Sequence, residues 1–144
     1  MGGKNRGPGP RSLELLRWIE RLEVAGLEPL ALAHHLGPRA VYSHVQRLAA
    51  DGLVERIYDR GGSLVAITRA GRSAVRPELH DPRAAAASLA GGALTAHARA
   101  TSWTAARATL RGLRWVSDRE IRSLPAWQIP VIWRQRDATD PTLE

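Results

Sequence analysis

The chain contains no cysteine and no phenylalanine, one methionine and, in Lys4, one lysine. Without cysteine there is neither a disulfide framework nor a thiolate metal site. No apolar run approaches the roughly 18–20 residues that a membrane-spanning helix requires. Residues 2–10 are polar and rich in glycine and proline, with none of the apolar stretch a secretory signal carries, so residues 1–11 are expected to be a disordered tail. These absences lead to the expectation of a soluble, cytoplasmic protein with no membrane partner. Catalytic motifs are missing too: there is no Walker-type phosphate loop, no nucleophile elbow and no H-E-x-x-H. His34 and His35 are adjacent, which is poor spacing for two ligands on one helix face, and His44, His80 and His97 have no acidic cluster beside them. The expectation is no enzyme, no metal and no cofactor.

What the chain has in excess is arginine. Of its 21 basic residues all but Lys4 are Arg, and the net charge is +7 with a pI near 11.3. A GC-rich genome favours Arg and Ala over Lys, so the choice of cation says little by itself; the net charge says more. Residues 1–76 hold 12 basic and 7 acidic side chains, net +5, whereas the remainder holds 9 and 7, net +2. Positive charge concentrated in one half is the electrostatic footprint of a polyanion partner.

Hydrophobic spacing organises that half into elements. Ser12 is read as the N-cap of a first helix, with Leu13, Leu16, Ile19 and Leu22 at helical spacing and Leu15, Trp18 and Val24 widening the apolar face. Gly26 ends it. Pro29 suits the first turn of a second helix, which runs on through Leu30, Leu32, Ala33 and Leu36. Gly37 turns the chain, and Pro38 opens a third helix over residues 38–51. In it Val41, Val45 and Leu48 form an i, i+4, i+7 stripe that must face a core. Gly52 is a left-handed C-cap. Residues 53–58 and 63–67 alternate as two strands around a tight turn at 59–62, and Thr68 caps a short helix through Val75.

Helix, helix, helix, β-hairpin, with Gly37-Pro38-Arg39-Ala40-Val41-Tyr42-Ser43-His44-Val45-Gln46-Arg47-Leu48 on the third helix, resembles the winged helix-turn-helix of MarR-like and ArsR-like regulators. The resemblance covers about sixty residues of the chain. It implies an α+β winged helix-turn-helix over residues 12–76, three helices plus a β-hairpin wing, acting as a sequence-specific double-stranded DNA-binding protein. It also implies a homodimer, since most regulators of this fold pair over two half-sites. In that reading the helix at 38–51 enters the major groove and the wing at 59–62 lies on the minor groove or the backbone.

With Val41, Val45 and Leu48 turned inward, the candidate DNA contacts are Arg39, Tyr42, Ser43, Gln46 and Arg47. Arg and Gln carry the hydrogen-bonding forks that read guanine and adenine edges, and Ser and Tyr can donate to phosphate or base. His44 sits toward the buried flank. Arg60 at the hairpin tip is placed for the minor groove, and Arg56 for the backbone, with Arg69 and Arg72 as further flanking cations. The plain alternative for each is a solvated residue on an ordinary surface. One of His34 and His35 is a further candidate for a phosphate contact.

The second half is read as a small Ala/Trp-rich helical or α/β module over residues 84–134, followed by a flexible tail at 135–144. Nine of the seventeen residues at 84–100 are alanine, which predicts a helix that packs closely on something or a lightly anchored connector. Gly91-Gly92 should break it, with helix resuming from Ala93 to Leu110. Arg114-Trp115-Val116 reads as a short strand, Ser117 to Glu120 as a capping box opening a short helix, and residues 129–133 as a final strand. Trp103, Trp115, Trp127 and Trp133 are expected in a core or interface rather than as base-stacking platforms.

The run His97-Ala98-Arg99-Ala100-Thr101-Ser102-Trp103 and the run from Leu110 to Arg122 resemble actinobacterial replication-relaxation-type proteins of plasmids and other mobile elements. That resemblance implies a transcriptional or replication regulator. The chain lacks the downstream acidic/lysine motif of that pattern, so no nuclease activity is implied. The module can serve dimerisation, a sensor pocket or docking of a partner protein. The alternative to DNA binding is a winged-helix adaptor that joins proteins within a larger assembly.

Overall fold

The structure is a computed structural model that describes residues 7–59, 62–79 and 92–123. The expected strand at 129–133, Trp127, Trp133 and the wing-tip Arg60 lie outside the described residues. The elements are α1 (Pro10–Leu22), β1 (Val24–Gly26), α2 (Leu27–Ala33), α3 (Pro38–Ala50), β2 (Val54–Asp59), β3 (Gly62–Ile67), α4 (Arg69–Val75), α5 (Gly92–Leu110) and α6 (Asp118–Ser123).

Helix α1 starts two residues earlier than its expected cap at Ser12. Gly9 is the N-cap and Pro10 occupies the first turn, where its missing N–H leaves no bond unmade. Ser12 is buried inside the helix, and its hydroxyl meets His44 Nδ1 on α3 at 2.8 Å. Leu15, Leu16 and Ile19 are fully buried, each contributing about 1.5–3 kcal/mol of hydrophobic stabilisation. The helix ends at Leu22, not Gly26: Glu23 takes a positive φ of 67° and throws the chain into β1. Val24, expected on the helix face, therefore lies in a strand.

The three strands form an antiparallel sheet in the order β1-β3-β2. Val24 pairs with Ala66 and Gly26 with Leu64 on one side of β3; Val54 pairs with Ile67 and Asp59 with Gly62 on the other. The run Leu64–Ile67 is wholly buried because both faces of the central strand are covered. Three helices and the small antiparallel sheet make the winged helix-turn-helix architecture, an α+β fold. Thr68 caps α4 by accepting from Gly71 N at 3.0 Å, and its own hydroxyl donates to Gly52 O at 2.6 Å. Gly52 has the expected left-handed conformation, with φ 71°.

Helix α5 packs on α2 and β1. Its inward residues are small: Thr95, Ala98, Ser102, Ala105 and Ala106 are buried at spacings of three and four. Small side chains let the helix approach the backbone of β1, where Gly26 N donates to Ser102 Oγ at 3.1 Å. The alanine-rich segment is thus a closely packed helix along its described part.

The expected strand at Arg114-Trp115-Val116 is irregular chain instead. Its aromatic residue is held by side-chain contacts rather than by a ladder. Trp115 packs edge-on against Trp18 of α1 at 5.8 Å, Arg21 lies over its ring at 3.7 Å, and its Nε1 donates to Thr109 Oγ1 at 2.9 Å. The capping box that follows is present: Ser117 N donates to Glu120 Oε2 at 2.8 Å and Glu120 N to Ser117 Oγ at 3.2 Å.

Ion pairs tie α1 to α4 and α6. Glu20, only 3% exposed, faces Arg72, Arg76 and Arg119 at 3.8, 3.6 and 3.2 Å. Glu23 faces Arg72 and Arg122, and Glu120 accepts from Arg21 Nε at 2.7 Å. Burial alone would raise the Glu120 pKa, but hydrogen bonds from Arg21 and Ser117 and the charges of Arg21 and Arg119 outweigh it and hold the carboxyl below its ordinary value. A folded-state pKa below the unfolded one gives stability that is present above the unfolded value, about 4.3, and lost as pH falls through the lower folded value. Glu120→Gln is expected to flatten the fall of melting temperature between about pH 5 and pH 3 relative to the parent chain. Parallel melting curves over that window would show that the carboxylate contributes nothing.

Candidate nucleic-acid interface

Helix α3 sorts its residues by face as its spacing demands. Val41, Val45 and Leu48 are 2% exposed or less and anchor the helix to α1, α2 and β2. Arg39, Tyr42, Ser43, Gln46 and Arg47 are all exposed on the opposite side. No acidic residue lies within α3; the nearest, Asp51, is its C-cap. The helix begins with Gly37 as N-cap and Pro38 in the first turn, and no side chain caps its first amides. Its N-terminus therefore presents free N–H groups and the positive end of the helix dipole beside Arg39.

His44 belongs to the packing side, half-buried and bonded to Ser12. His34 is also structural. Its ring stands edge-on to Trp18 at 5.7 Å and Nδ1 meets Leu30 O at 2.9 Å, while burial pushes its pKa down. His35, with a positive φ of 53°, is exposed in the turn between α2 and α3.

The wing strand β2 lies beside α3. Arg56 is half-buried there, its guanidinium centre 4.5 Å from the Tyr42 ring and 4.8 Å from the Tyr58 ring. Its Nη2 makes a long contact to Ser63 Oγ at 3.5 Å, across the hairpin. Tyr58, 69% exposed, was not among the residues picked from the sequence. The signal was available: Tyr58 follows Arg56 by two, so both share one face of the strand. Arg99 was also passed over; from α5 it donates to Gly62 O at 3.0 Å, at the start of β3.

Arg72, expected to flank DNA, is instead drawn into the ion pairs of the fold. Its side chain is 12% exposed and turned toward Glu20 and Glu23. Arg21 and Arg76 are likewise engaged with Glu120, and with Glu20 and Glu78. Part of the net charge of the first half is thus consumed inside the fold, and Arg39, Arg47 and Arg56 are among the described cations on the α3 side. Arg69 is exposed at the start of α4.

Among the described residues no group of three or more His, Asp and Glu is placed to hold a metal ion, and no helix is long and apolar enough to cross a membrane. The third helix of the winged helix-turn-helix thus presents an exposed polar face with no acidic residue in the helix, beside a tyrosine-flanked arginine on the neighbouring wing strand. No family model and no curated protein matches the chain. Among solved structures it is similar to a MarR family protein from Bacillus stearothermophilus, at 14% identity and a TM-score of 0.45 over 93% of this chain and 74% of that one. It is similar also to a probable transcriptional regulator from Pseudomonas aeruginosa, at 23% identity and a TM-score of 0.47 over 76% of this chain and 78% of that one. A MarR family transcriptional regulator from Rhodococcus sp. RHA1 shares 23% identity and a TM-score of 0.43 over 90% of this chain and 70% of that one. These are distant likenesses, and the fold assignment stands on the element order and strand register of this chain itself.

Proposed function

We propose that the chain is a sequence-specific double-stranded DNA-binding protein that acts in transcription regulation, with α3 in the major groove and the β2–β3 wing against the adjacent minor groove or backbone. The observation that carries this reading is the division of α3: Val41, Val45 and Leu48 buried, and Arg39, Tyr42, Ser43, Gln46 and Arg47 exposed together with no acidic residue in the helix. A helix packed this firmly offers a rigid face, and its exposed set combines base-reading forks with phosphate donors. Arg60, at the wing tip, is proposed to reach the minor groove. The protein acts as a homodimer in this reading, so its half-sites lie about one helical turn, roughly 34–36 Å, apart.

The test is to sequence duplexes selected from a random pool by the purified protein. A recovered motif with two related half-sites supports the reading; a pool that stays random overturns sequence-specific binding. Affinity for the motif should fall steeply with salt. Arg39→Ala should weaken the selected site by ~1–3 kcal/mol and relax the preference at one base pair, since a bidentate base contact is worth that much. An equal loss on every sequence would move Arg39 from base reading to phosphate contact. Absence of duplex affinity at moderate salt, with capture of a defined partner protein, would favour the adaptor role instead.

A further inference from the structure

The seam between α3 and β2 holds a charge that no carboxylate among the described residues neutralises. Arg21, Arg72, Arg76, Arg119 and Arg122 each face a carboxylate. Arg56 is half-buried, yet among the described residues no carboxylate pairs with it. It is held instead by the faces of Tyr42 and Tyr58 and by one long contact to Ser63, and its buried Nε has no hydrogen-bond partner among the described residues. A partly desolvated guanidinium without a counter-ion is retained at a cost unless an anion arrives from outside. The two rings limit how the guanidinium can turn, so little rotamer freedom remains to be lost when a ligand binds. They are themselves exposed, 45% for Tyr42 and 69% for Tyr58. Beside the stack opens a cleft of about 520 Å³, whose lining includes Tyr42, Arg56, Ser63, Arg99 and Trp103 together with one carboxylate, Glu28.

DNA geometry says what anion would come here. When one helix occupies the major groove and a hairpin reaches the next minor groove, the sugar–phosphate strand that separates the grooves must cross the seam between helix and hairpin. We propose that Tyr42, Arg56 and Tyr58 form one phosphate clamp on that strand. Arg56 donates to a backbone phosphate oxygen, and Tyr42 and Tyr58 are positioning residues that hold its guanidinium flat. This rests on the DNA-binding reading above and adds to it the site of the strand contact and the role of Tyr58. The clamp fixes the spacing between helix and wing contacts and carries no base preference itself.

The experiment uses the full chain and its selected duplex, with each variant's melting temperature measured to establish that it folds. Arg56→Gln should lower the slope of log affinity against log salt by about one phosphate contact. It should weaken binding by about tenfold on selected and mutated sites alike, as loss of a charged hydrogen bond does. Replacing phosphates one at a time by neutral methylphosphonates should reveal a position between the two grooves that weakens the parent protein by a similar factor and Arg56→Gln no further. Tyr58→Ala should weaken binding about threefold, as loss of an exposed cation–π contact does, and Tyr58→Phe should retain affinity because it keeps the ring. Folded Arg56→Gln with an unchanged salt slope, or a duplex insensitive to methylphosphonate between the grooves, overturns the clamp while leaving DNA binding in place. A folded parent chain that binds no duplex overturns both readings.

Discussion

Glu20→Ala is expected to destabilise the fold by about 3–5 kcal/mol, the usual effect of removing one partner from a buried ionic cluster. The carboxylate is 3% exposed and sits among Arg72, Arg76 and Arg119, which come from α4 and α6. Truncation leaves three guanidinium groups facing one another, with Glu23 beside Arg72, Glu78 beside Arg76 and Glu120 beside Arg119 as their remaining carboxylates among the described residues. Arg119 is 12% exposed, and burial already lowers its pKa; the Glu20 charge is what opposes that shift most. None of these three arginines lies on the α3 side, so the loss should appear in urea-unfolding midpoints and not in the DNA preference of the folded fraction. Glu20→Gln separates charge from shape: it keeps the side-chain volume and one acceptor, and should still lose most of the stability if the charge is what matters. A change below about 1 kcal/mol for either variant would mean that the arginines relax outward and the cluster contributes little.

Gly71→Ala is the second large effect, about 3 kcal/mol or more of destabilisation, at the upper end of what one added methyl group does in a packed interior. A Cβ there would lie 1.9 Å from Leu53 O and 2.8 Å from Ile67 Cδ1. The first of these neighbours is backbone and cannot swing away. Leu53 O also accepts from Thr68 N at 3.2 Å, so shifting it disturbs the bond that seats the start of α4 at the base of the wing. Because Leu53 leads directly into β2, the displacement should reach the wing as well. The variant's residual folded protein should therefore bind DNA more weakly, whereas Ser73→Ala in the same helix should leave binding near the parent's. A Gly71→Ala melting temperature within a degree or two of the parent's would show that α4 does not approach Leu53 this closely.

The legibility of the fold follows the range of the forces involved. Helix α3 could be read because a stripe at Val41, Val45 and Leu48 is a local pattern, and Pro38 and Gly52 mark its ends by backbone preferences that act within one turn. The hairpin was readable for the same reason. The same rules went astray where two local signals competed. Ser12 is the better cap by side chain, but Gly9 followed by Pro10 starts α1, and the serine is taken up by His44. Val24 continues an apolar run, so β1 was invisible until its pairing with Ala66 was seen. Trp115 between Arg114 and Val116 has strand composition, yet its place is set by Trp18 and Arg21, which lie far away along the chain.

The candidate site divides in the same way. The sequence by itself determined which residues α3 buries and which it exposes, because helical periodicity and the apolar stripe leave one arrangement. It also determined the sign of the charge and the excess of arginine. Only the tertiary structure decided which arginines remain available to a partner. Arg72 and Arg76 carry the same charge as Arg39 and Arg56 and stand in the same half of the chain, but the first two face Glu20, and Arg56 lies between two tyrosine rings. A cation's identity is written locally, whereas its counter-ion is brought by folding from elsewhere in the chain, and Coulomb attraction depends on the distance and burial that folding sets.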